Sequence, residues 1–207
     1  MAVEAVIWDF GGVFTTSPFE AFARYEAARN LPADLLKRIN STNPDTNAWA
    51  LFERAEIDAA AFDAAFLAES TALGHPVPGS DILPLLSGAI RPRMVAALKA
   101  CKAQFKVGCI TNNMAGGPGA SGEIMAMFDA LIESSKAGVR KPDPKIYLMM
   151  CDLLGVEPSS CVYLDDLGIN CKPAAALGMT AIKVVSVDQA LADLSGATGL
   201  TFAEEPA

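Results

Sequence analysis

The chain has 207 residues, of which 52% are hydrophobic and 19% are charged, and its formal net charge at pH 7 is −8. This composition is typical of a packed globular protein with one large domain, or one domain and a modest insertion, and excludes a disordered chain. The acidic balance argues against a nucleic acid or a membrane surface as partner, because both select a basic protein face.

Targeting signals and cysteines indicate where in the cell the protein is expected. The N-terminal segment lacks the basic region of a signal peptide, and no apolar run approaches the ~18 residues that a membrane-spanning helix needs. The five cysteines include no Cys-x-x-Cys pair, which indicates reduced thiols instead of a disulfide framework or a zinc site. We therefore expect a cytoplasmic protein.

The first predicted element is a short apolar strand at residues 3–8, which ends at Asp9 and is followed at once by Gly11 and Gly12. Residues 17–88 then show apolar residues at helical spacing, with helices predicted at 18–30, 32–40, 46–56 and 58–73. We expect Pro18 and Pro32 at first helical positions and Asp58 as an N-cap. Nothing in this block has the pattern of a parallel strand.

From Arg91 onward, short apolar segments alternate with helical segments. The predicted strands are 106–111, 130–133, 161–164 and 180–185, and the predicted helices are 92–104, a short one that ends at 128 after a Gly/Pro-rich loop, 144–154 and 169–177. This alternation predicts an α/β fold with a doubly wound, Rossmann-like parallel sheet. Residues 1–16 and 89–207 then form the core domain, and 17–88 form a helical cap inserted after the first strand.

Polar residues follow the predicted strands where those strands end. Thr111 and Asn112 end one strand, Asp165 and Asp166 end another, and Lys141 precedes a helix. Because the carboxyl ends of parallel strands lie at one edge of the sheet, we expect these residues to converge with Asp9.

The chemistry of this set indicates a phosphate site. Clustered carboxylates repel one another and an incoming phosphate, and Mg²⁺ with oxygen ligands relieves both repulsions. Lys141 would keep Asp9 ionised and contact phosphoryl oxygens, and the Thr111 hydroxyl and the backbone N–H of Asn112 would donate hydrogen bonds to them. Asp9 is then a candidate nucleophile toward the phosphorus of a small phosphorylated substrate.

These motifs resemble the haloacid dehalogenase (HAD) superfamily, in the subclass with a helical cap after the first motif. The segments around Arg91, Lys141 and Asp165 also resemble the N-terminal phosphatase domain of soluble epoxide hydrolases and the HAD domain fused to some acyl-CoA dehydrogenases. The resemblance implies that Asp9 is the nucleophile. It also implies that Mg²⁺ is bound by the Asp9 side chain, the Gly11 carbonyl and Asp166, with Asp165 acting through water or orienting the others.

One position departs from the family pattern. Gly11 stands where the family usually has a second aspartate, which protonates the leaving alkoxide and then deprotonates the attacking water. Loss of a general acid and base costs about 10²–10⁴-fold in rate. We therefore expect a preference for substrates whose leaving group needs little protonation, such as aryl, acyl or anomeric sugar phosphates.

Two other functions stay open on this evidence. One is 2-haloacid dehalogenase chemistry, in which Asp9 attacks carbon; such enzymes also lack the second aspartate, but they need no metal and usually lack the acid pair seen at Asp165 and Asp166. The other is a metal- or phosphate-binding module with little or no turnover. The acid pair favours the phosphatase.

Overall fold

The computed structural model describes residues 2–113 and 122–202 of the chain. Within them, five strands form one sheet in which every pairing is parallel, in the order β3-β2-β1-β4-β5. The strands are β1 Ala5–Trp8, β2 Lys106–Thr111, β3 Ala130–Glu133, β4 Cys161–Asp165 and β5 Thr180–Lys183. The predicted α/β class and parallel sheet are confirmed.

Eleven α-helices lie within the described residues. The first five follow β1: α1 Pro18–Ala28, α2 Leu35–Ser41, α3 Ala48–Glu53, α4 Ala59–Ala72 and α5 Gly79–Ile82. The other six are α6 Pro92–Lys102, α7 Gly122–Met125, α8 Ser134–Ala137, α9 Pro144–Leu154, α10 Gly168–Ala176 and α11 Val187–Thr198. Short 3-10 helices occupy Leu83–Leu86 and Pro158–Ser160. Most of the predicted Gly/Pro-rich loop after β2, residues 114–121, lies outside the described residues.

Side chains of β1 alternate between the two faces of the sheet, and all four are fully buried. Val6 and Trp8 pack in a cluster with residues of α6 and α11, whereas Ala5 and Ile7 pack with residues of α9 and α10. Helices therefore cover both faces, and a strand buried on both faces explains why β1 is a continuous apolar run instead of an alternating one.

Residues 17–88, called the helical insertion below, build a hydrophobic cluster of their own. Phe52 and Phe62 stack at a centroid distance of 4.7 Å, and Phe66 packs against Phe62 at 5.5 Å. The segments that enter and leave the insertion lie side by side, because the Thr16 N–H donates a hydrogen bond to the Ala89 carbonyl at 2.8 Å. This pairing places both ends of the insertion next to the loop that follows β1.

The prediction that Pro32 begins a helix is wrong, since α2 begins at Leu35. The reason is tertiary: the buried carboxylate of Glu26, in α1, accepts hydrogen bonds from the Asp34 N–H at 3.0 Å and the Leu36 N–H at 2.8 Å. Glu26 thus satisfies the first free N–H groups of α2 and moves its start by three residues. Pro18 and Asp58 are confirmed, as the first residue of α1 and the N-cap of α4.

No helix among residues 2–113 and 122–202 combines the length and the apolar content that crossing a membrane requires.

Candidate active site

Asp9 leaves the sheet directly after β1, between the neighbouring strands β2 and β4. Its backbone N–H donates to the Leu164 carbonyl at 2.8 Å, which keeps Asp9 level with the end of β4. Asp165 is the last residue of β4, and Asp166 follows it. One carboxylate oxygen from each of Asp9, Asp165 and Asp166 lies within 4.8 Å of the others.

Lys141 joins two of these carboxylates. Its Nζ lies 2.8 Å from Asp9 Oδ1 and 2.7 Å from Asp165 Oδ2. The side chain is 1% exposed and Asp9 is 7% exposed, so solvent screens these ion pairs little. The structure therefore brings together Lys141 and the three acids that the sequence placed at one edge of the sheet.

The Asp165 carboxylate accepts several hydrogen bonds from neighbouring residues. Its two carboxylate oxygens accept hydrogen bonds from the Tyr163 hydroxyl at 2.5 Å, the Leu167 N–H at 2.8 Å and the Asn170 amide at 3.0 and 3.1 Å, in addition to Lys141. A carboxylate held by this many donors is fixed in position. Asp165 thus fixes the position of the Lys141 ammonium group.

Asp166 faces the loop after β1. Its Oδ2 accepts a hydrogen bond from the Ser17 hydroxyl at 3.3 Å. Gly12 passes so close that a Cβ on it would lie 2.1 Å from the same oxygen, and its φ of +72° is in the left-handed region. Only glycine fits at position 12 without displacing Asp166.

Gly11 has the opposite surroundings. A Cβ built on it meets no atom of residues 2–113 or 122–202 within 4 Å, and its φ is outside the left-handed region. Within these residues, neither the backbone conformation nor a close contact of a Cβ requires glycine at position 11.

Thr111 and Asn112 stand at the end of β2, beside Asp9. The Thr111 hydroxyl forms no hydrogen bond with the described part of the chain, which leaves it free to donate to a ligand. The Asn112 side chain is engaged: its Oδ1 accepts from the Lys141 N–H at 2.9 Å, and its amide donates to the Lys141 carbonyl at 3.0 Å. The Asn112 side chain therefore holds the main chain at Lys141.

Burial controls the protonation of this cluster. Burial raises the pKa of Asp9 well above its ordinary value, and the ion pair with Lys141 opposes this effect without cancelling it. Burial and the neighbouring Asp165 raise the pKa of Asp166 to about 6. Burial alone would lower the pKa of Lys141, but Asp165 and Asp9 raise it. The ion pair with Lys141 thus favours ionised Asp9, as expected, and burial opposes it.

Three residues at the site were not identified from the sequence. Tyr163 lies two positions before Asp165 in β4 and thus on the same face, a relation that period-two alternation could have indicated. Ser17 lies where the chain enters the insertion, and Arg91 lies just after the chain leaves it. The Ser17 hydroxyl donates to Asp166, and the Arg91 side chain donates to the Gly12 carbonyl at 2.7 Å. No local sequence signal indicates these contacts, since they join distant segments.

Sequence comparison identifies the family. A family model described as haloacid dehalogenase-like hydrolase matches residues 3–178. The chain belongs to this family. It is 31% identical to bifunctional epoxide hydrolase 2 of Mus musculus over 225 aligned positions, covering 100% of this chain and 41% of that protein. It is also 30% identical to acyl-CoA dehydrogenase family member 10 of the same organism over 203 positions, covering 94% of this chain and 19% of that protein. This HAD-like hydrolase therefore spans less than half the length of these two relatives.

Other comparisons concern shorter stretches or the fold alone. The chain is 33% identical over 57 residues to fructose-1-phosphate phosphatase YqaB of Escherichia coli, covering 28% of this chain and 30% of that protein. A crystal structure of a HAD family enzyme from Bacteroides thetaiotaomicron, in complex with magnesium and inorganic phosphate, is similar with a TM-score of 0.59 at 18% identity, covering 88% of this chain and 94% of that one. The HAD resemblance and the predicted fold are both confirmed, and the protein is a hydrolytic enzyme of the HAD type.

Proposed function

We propose that this hydrolase is a Mg²⁺-dependent phosphatase that acts on a small phosphorylated metabolite through an aspartyl-phosphate on Asp9. The observation that carries this proposal is the buried cluster in which Lys141 Nζ contacts both Asp9 and Asp165 while Asp166 completes three carboxylates within 4.8 Å. A phosphatase of the same family, from E. coli, is among the relatives.

The donor set fits a divalent cation. Three buried or half-buried carboxylates face one ammonium group, and the pKa values of Asp9 and Asp166 are both raised, so the site holds more negative charge than its own residues offset. Asp9, Asp166 and the Gly11 carbonyl would hold Mg²⁺, and Asp165 would orient them. When bound, the ion supplies positive charge that keeps Asp9 ionised and offsets the charge of the phosphoryl group.

Different residues of the chain supply the attacking oxygen and the hydrogen-bond donors to the phosphoryl group. Asp9 Oδ1 is held by Lys141 and by the Phe10 N–H at 2.6 Å, while Oδ2 accepts no hydrogen bond from the described residues. We assign Oδ2 as the attacking atom: its lone pair forms the bond to phosphorus as the bond to the leaving oxygen breaks. Lys141 and the Thr111 hydroxyl would donate hydrogen bonds to the phosphoryl oxygens. Water then hydrolyses the aspartyl-phosphate and releases inorganic phosphate.

The leaving oxygen must take its proton from solvent, because Gly11 has no acid to supply one. This requirement favours aryl, acyl and anomeric sugar phosphates over simple alkyl phosphates. We further propose that residues 1–16 with 89–207 are the catalytic domain and residues 17–88 a cap that admits the substrate. A cytoplasmic location is proposed from the five cysteines, which are all buried and unpaired.

The test measures phosphate release from an aryl phosphate with Mg²⁺ or with EDTA, using Asp9→Asn as the inactive control. We expect release that needs both Mg²⁺ and Asp9. Halide release from a 2-haloacid in EDTA, with no phosphate release from any substrate, would instead establish the dehalogenase. Magnesium binding without any turnover would establish a binding module.

A further inference from the structure

A buried acid of the helical insertion lies against the loop that carries Lys141. Glu53 is the last residue of α3 and is 8% exposed. Its carboxylate Oε2 lies 2.7 Å from Arg140 Nε, and its backbone carbonyl accepts a hydrogen bond from the Ser134 hydroxyl at 2.6 Å. Glu53 therefore contacts two separate segments of the sheet-bearing part of the protein.

The first segment leads to Lys141. Arg140 immediately precedes Lys141, and its Nη1 donates to the Pro44 carbonyl of the insertion at 2.9 Å. The peptide groups of Lys141 are held from the other side by the Asn112 side chain. The main chain at Lys141 is thus held on one side by the contacts of Arg140 with the insertion and on the other by the Asn112 side chain, which follows β2.

The second segment leads to Thr111. Ser134 is fully buried, and its Oγ lies 3.0 Å from the Asn113 backbone nitrogen, two residues after Thr111. A displacement of Glu53 therefore reaches both loops that supply the proposed phosphate contacts. A cleft of about 460 Å³ lies at this contact and is lined in part by Arg54 of the insertion and by Arg140 and Asp143 of the loop that carries Lys141.

We propose that Glu53 is a positioning residue: paired with Arg140, it holds the helical insertion against the sheet edge and fixes the loop from which Lys141 reaches Asp9. This inference rests on the proposed function, because Lys141 is assigned there as a contact of the phosphoryl group.

Neutralising Glu53 has two opposing effects on folding stability. Burial raises the pKa of the Glu53 carboxyl, and the attraction of Arg140 and Lys141 offsets only part of that effect, so loss of the buried negative charge is favourable in itself. Removing one member of a buried ion pair also leaves the other without its partner, which is destabilising. The Arg140 side chain is 20% exposed, so solvent offsets only part of its charge. Glu53→Gln keeps the shape of the side chain and one acceptor oxygen, and we expect this variant to fold with a lower melting temperature.

The test compares Glu53→Gln with Glu56→Gln. Glu56 is a matched control because it also belongs to the insertion and pairs with an arginine, Arg54, at 2.5 Å. Its side chain is half exposed, and its ion-pair partner belongs to the insertion and not to the loop that carries Lys141. We expect Glu53→Gln to lower kcat for an aryl phosphate at least about tenfold at temperatures well below its melting temperature, since small misplacements of a contacting group cost this much. Glu56→Gln should leave kcat, KM and melting temperature unchanged.

A second readout does not depend on turnover. Amide hydrogen exchange at residues 134–143 should be faster in Glu53→Gln than in Glu56→Gln. Arg140→Lys, which keeps the charge but has one donor group instead of a fork, should fall between them. Equal exchange in the two glutamate variants overturns the inference whatever their activity, and so does faster exchange with unchanged kcat. Absence of phosphatase activity in the unmodified protein refutes the proposed function, and the exchange comparison still decides whether Glu53 fixes this loop.

Discussion

Restoring an acid at position 11 should change the rate in a way that depends on the leaving group. In Gly11→Asp, the new Cβ meets no described residue within 4 Å, and the backbone φ is outside the left-handed region. The substitution should therefore be accommodated without moving Gly12, whose approach to Asp166 leaves no space for a Cβ.

The size of the effect follows from the missing proton transfer. A positioned general acid contributes about 10²–10⁴-fold, or roughly 3–5 kcal/mol of barrier, to a step in which the leaving group needs a proton. An alkyl alkoxide needs that proton, whereas an aryl oxide hardly does. We therefore expect Gly11→Asp to raise kcat/KM for an alkyl phosphate about 10²-fold or more, and for an aryl phosphate less than about tenfold.

The assay measures kcat/KM for a matched pair of alkyl and aryl phosphates in the original protein, Gly11→Asp and Gly11→Asn. Asparagine has the size of aspartate but cannot donate or accept the proton in the same way, so it controls for the added side chain. Equal gains for the two substrates, or equal gains from Asp and Asn, would refute the assignment of Gly11 as the position of a missing acid.

Three further predictions follow from local contacts. Gly12→Ala should lose roughly 1–2 kcal/mol of stability through its positive φ and should weaken Mg²⁺ binding by displacing Asp166, while Gly11→Ala should do neither; urea unfolding and calorimetric Mg²⁺ titration measure both. The pKa of Tyr25 is raised to about 12, by burial and by its hydrogen bond to Asp81, so the phenol stabilises the fold below its ordinary pKa of 10.0 and this contribution is lost as the pH rises toward 12. Thermal melts of Tyr25→Phe should accordingly fall less steeply over that range, and an equal slope would contradict the assignment. All five thiols are buried, so alkylation of the native protein at pH 8 should be far slower than in urea; rapid modification of any of them would show that its burial is wrong.

Much of the sheet was predictable from local pattern. The apolar runs that became β2 and β3 were predicted with the bounds that the structure shows, because short apolar segments stand out from the polar residues beside them. This holds both for β2, which is buried on both faces, and for β3, the half-exposed strand at the edge of the sheet. The convergence of Asp9, Lys141 and the acid pair was also predictable, since parallel strands place their carboxyl ends at one edge. The roles of these residues stay predictions, and so do the domain boundaries.

Other features depend on contacts between distant segments. The start of α2 at Leu35 depends on the Glu26 carboxylate, which local propensity at Pro32 does not reveal. The role of the Asn112 side chain in holding Lys141 depends on a loop 29 residues away. Glu53 and Ser17 come from the insertion, whose placement over the sheet is a matter of packing.

The amino-acid sequence alone thus predicted the fold class and the nucleophile candidate, because short-range periodicity and residue chemistry carry that information. That Gly11 stands where an acid is usual came from the resemblance of its motifs to the HAD family. Tertiary structure alone showed that the described residues leave space for a Cβ at Gly11 and none at Gly12. It alone also showed that Asp9 is buried beside Lys141, so that burial, which raises the pKa of Asp9, opposes the ion pair, which lowers it. Both results depend on distances and desolvation between segments far apart in the chain, which no local pattern encodes.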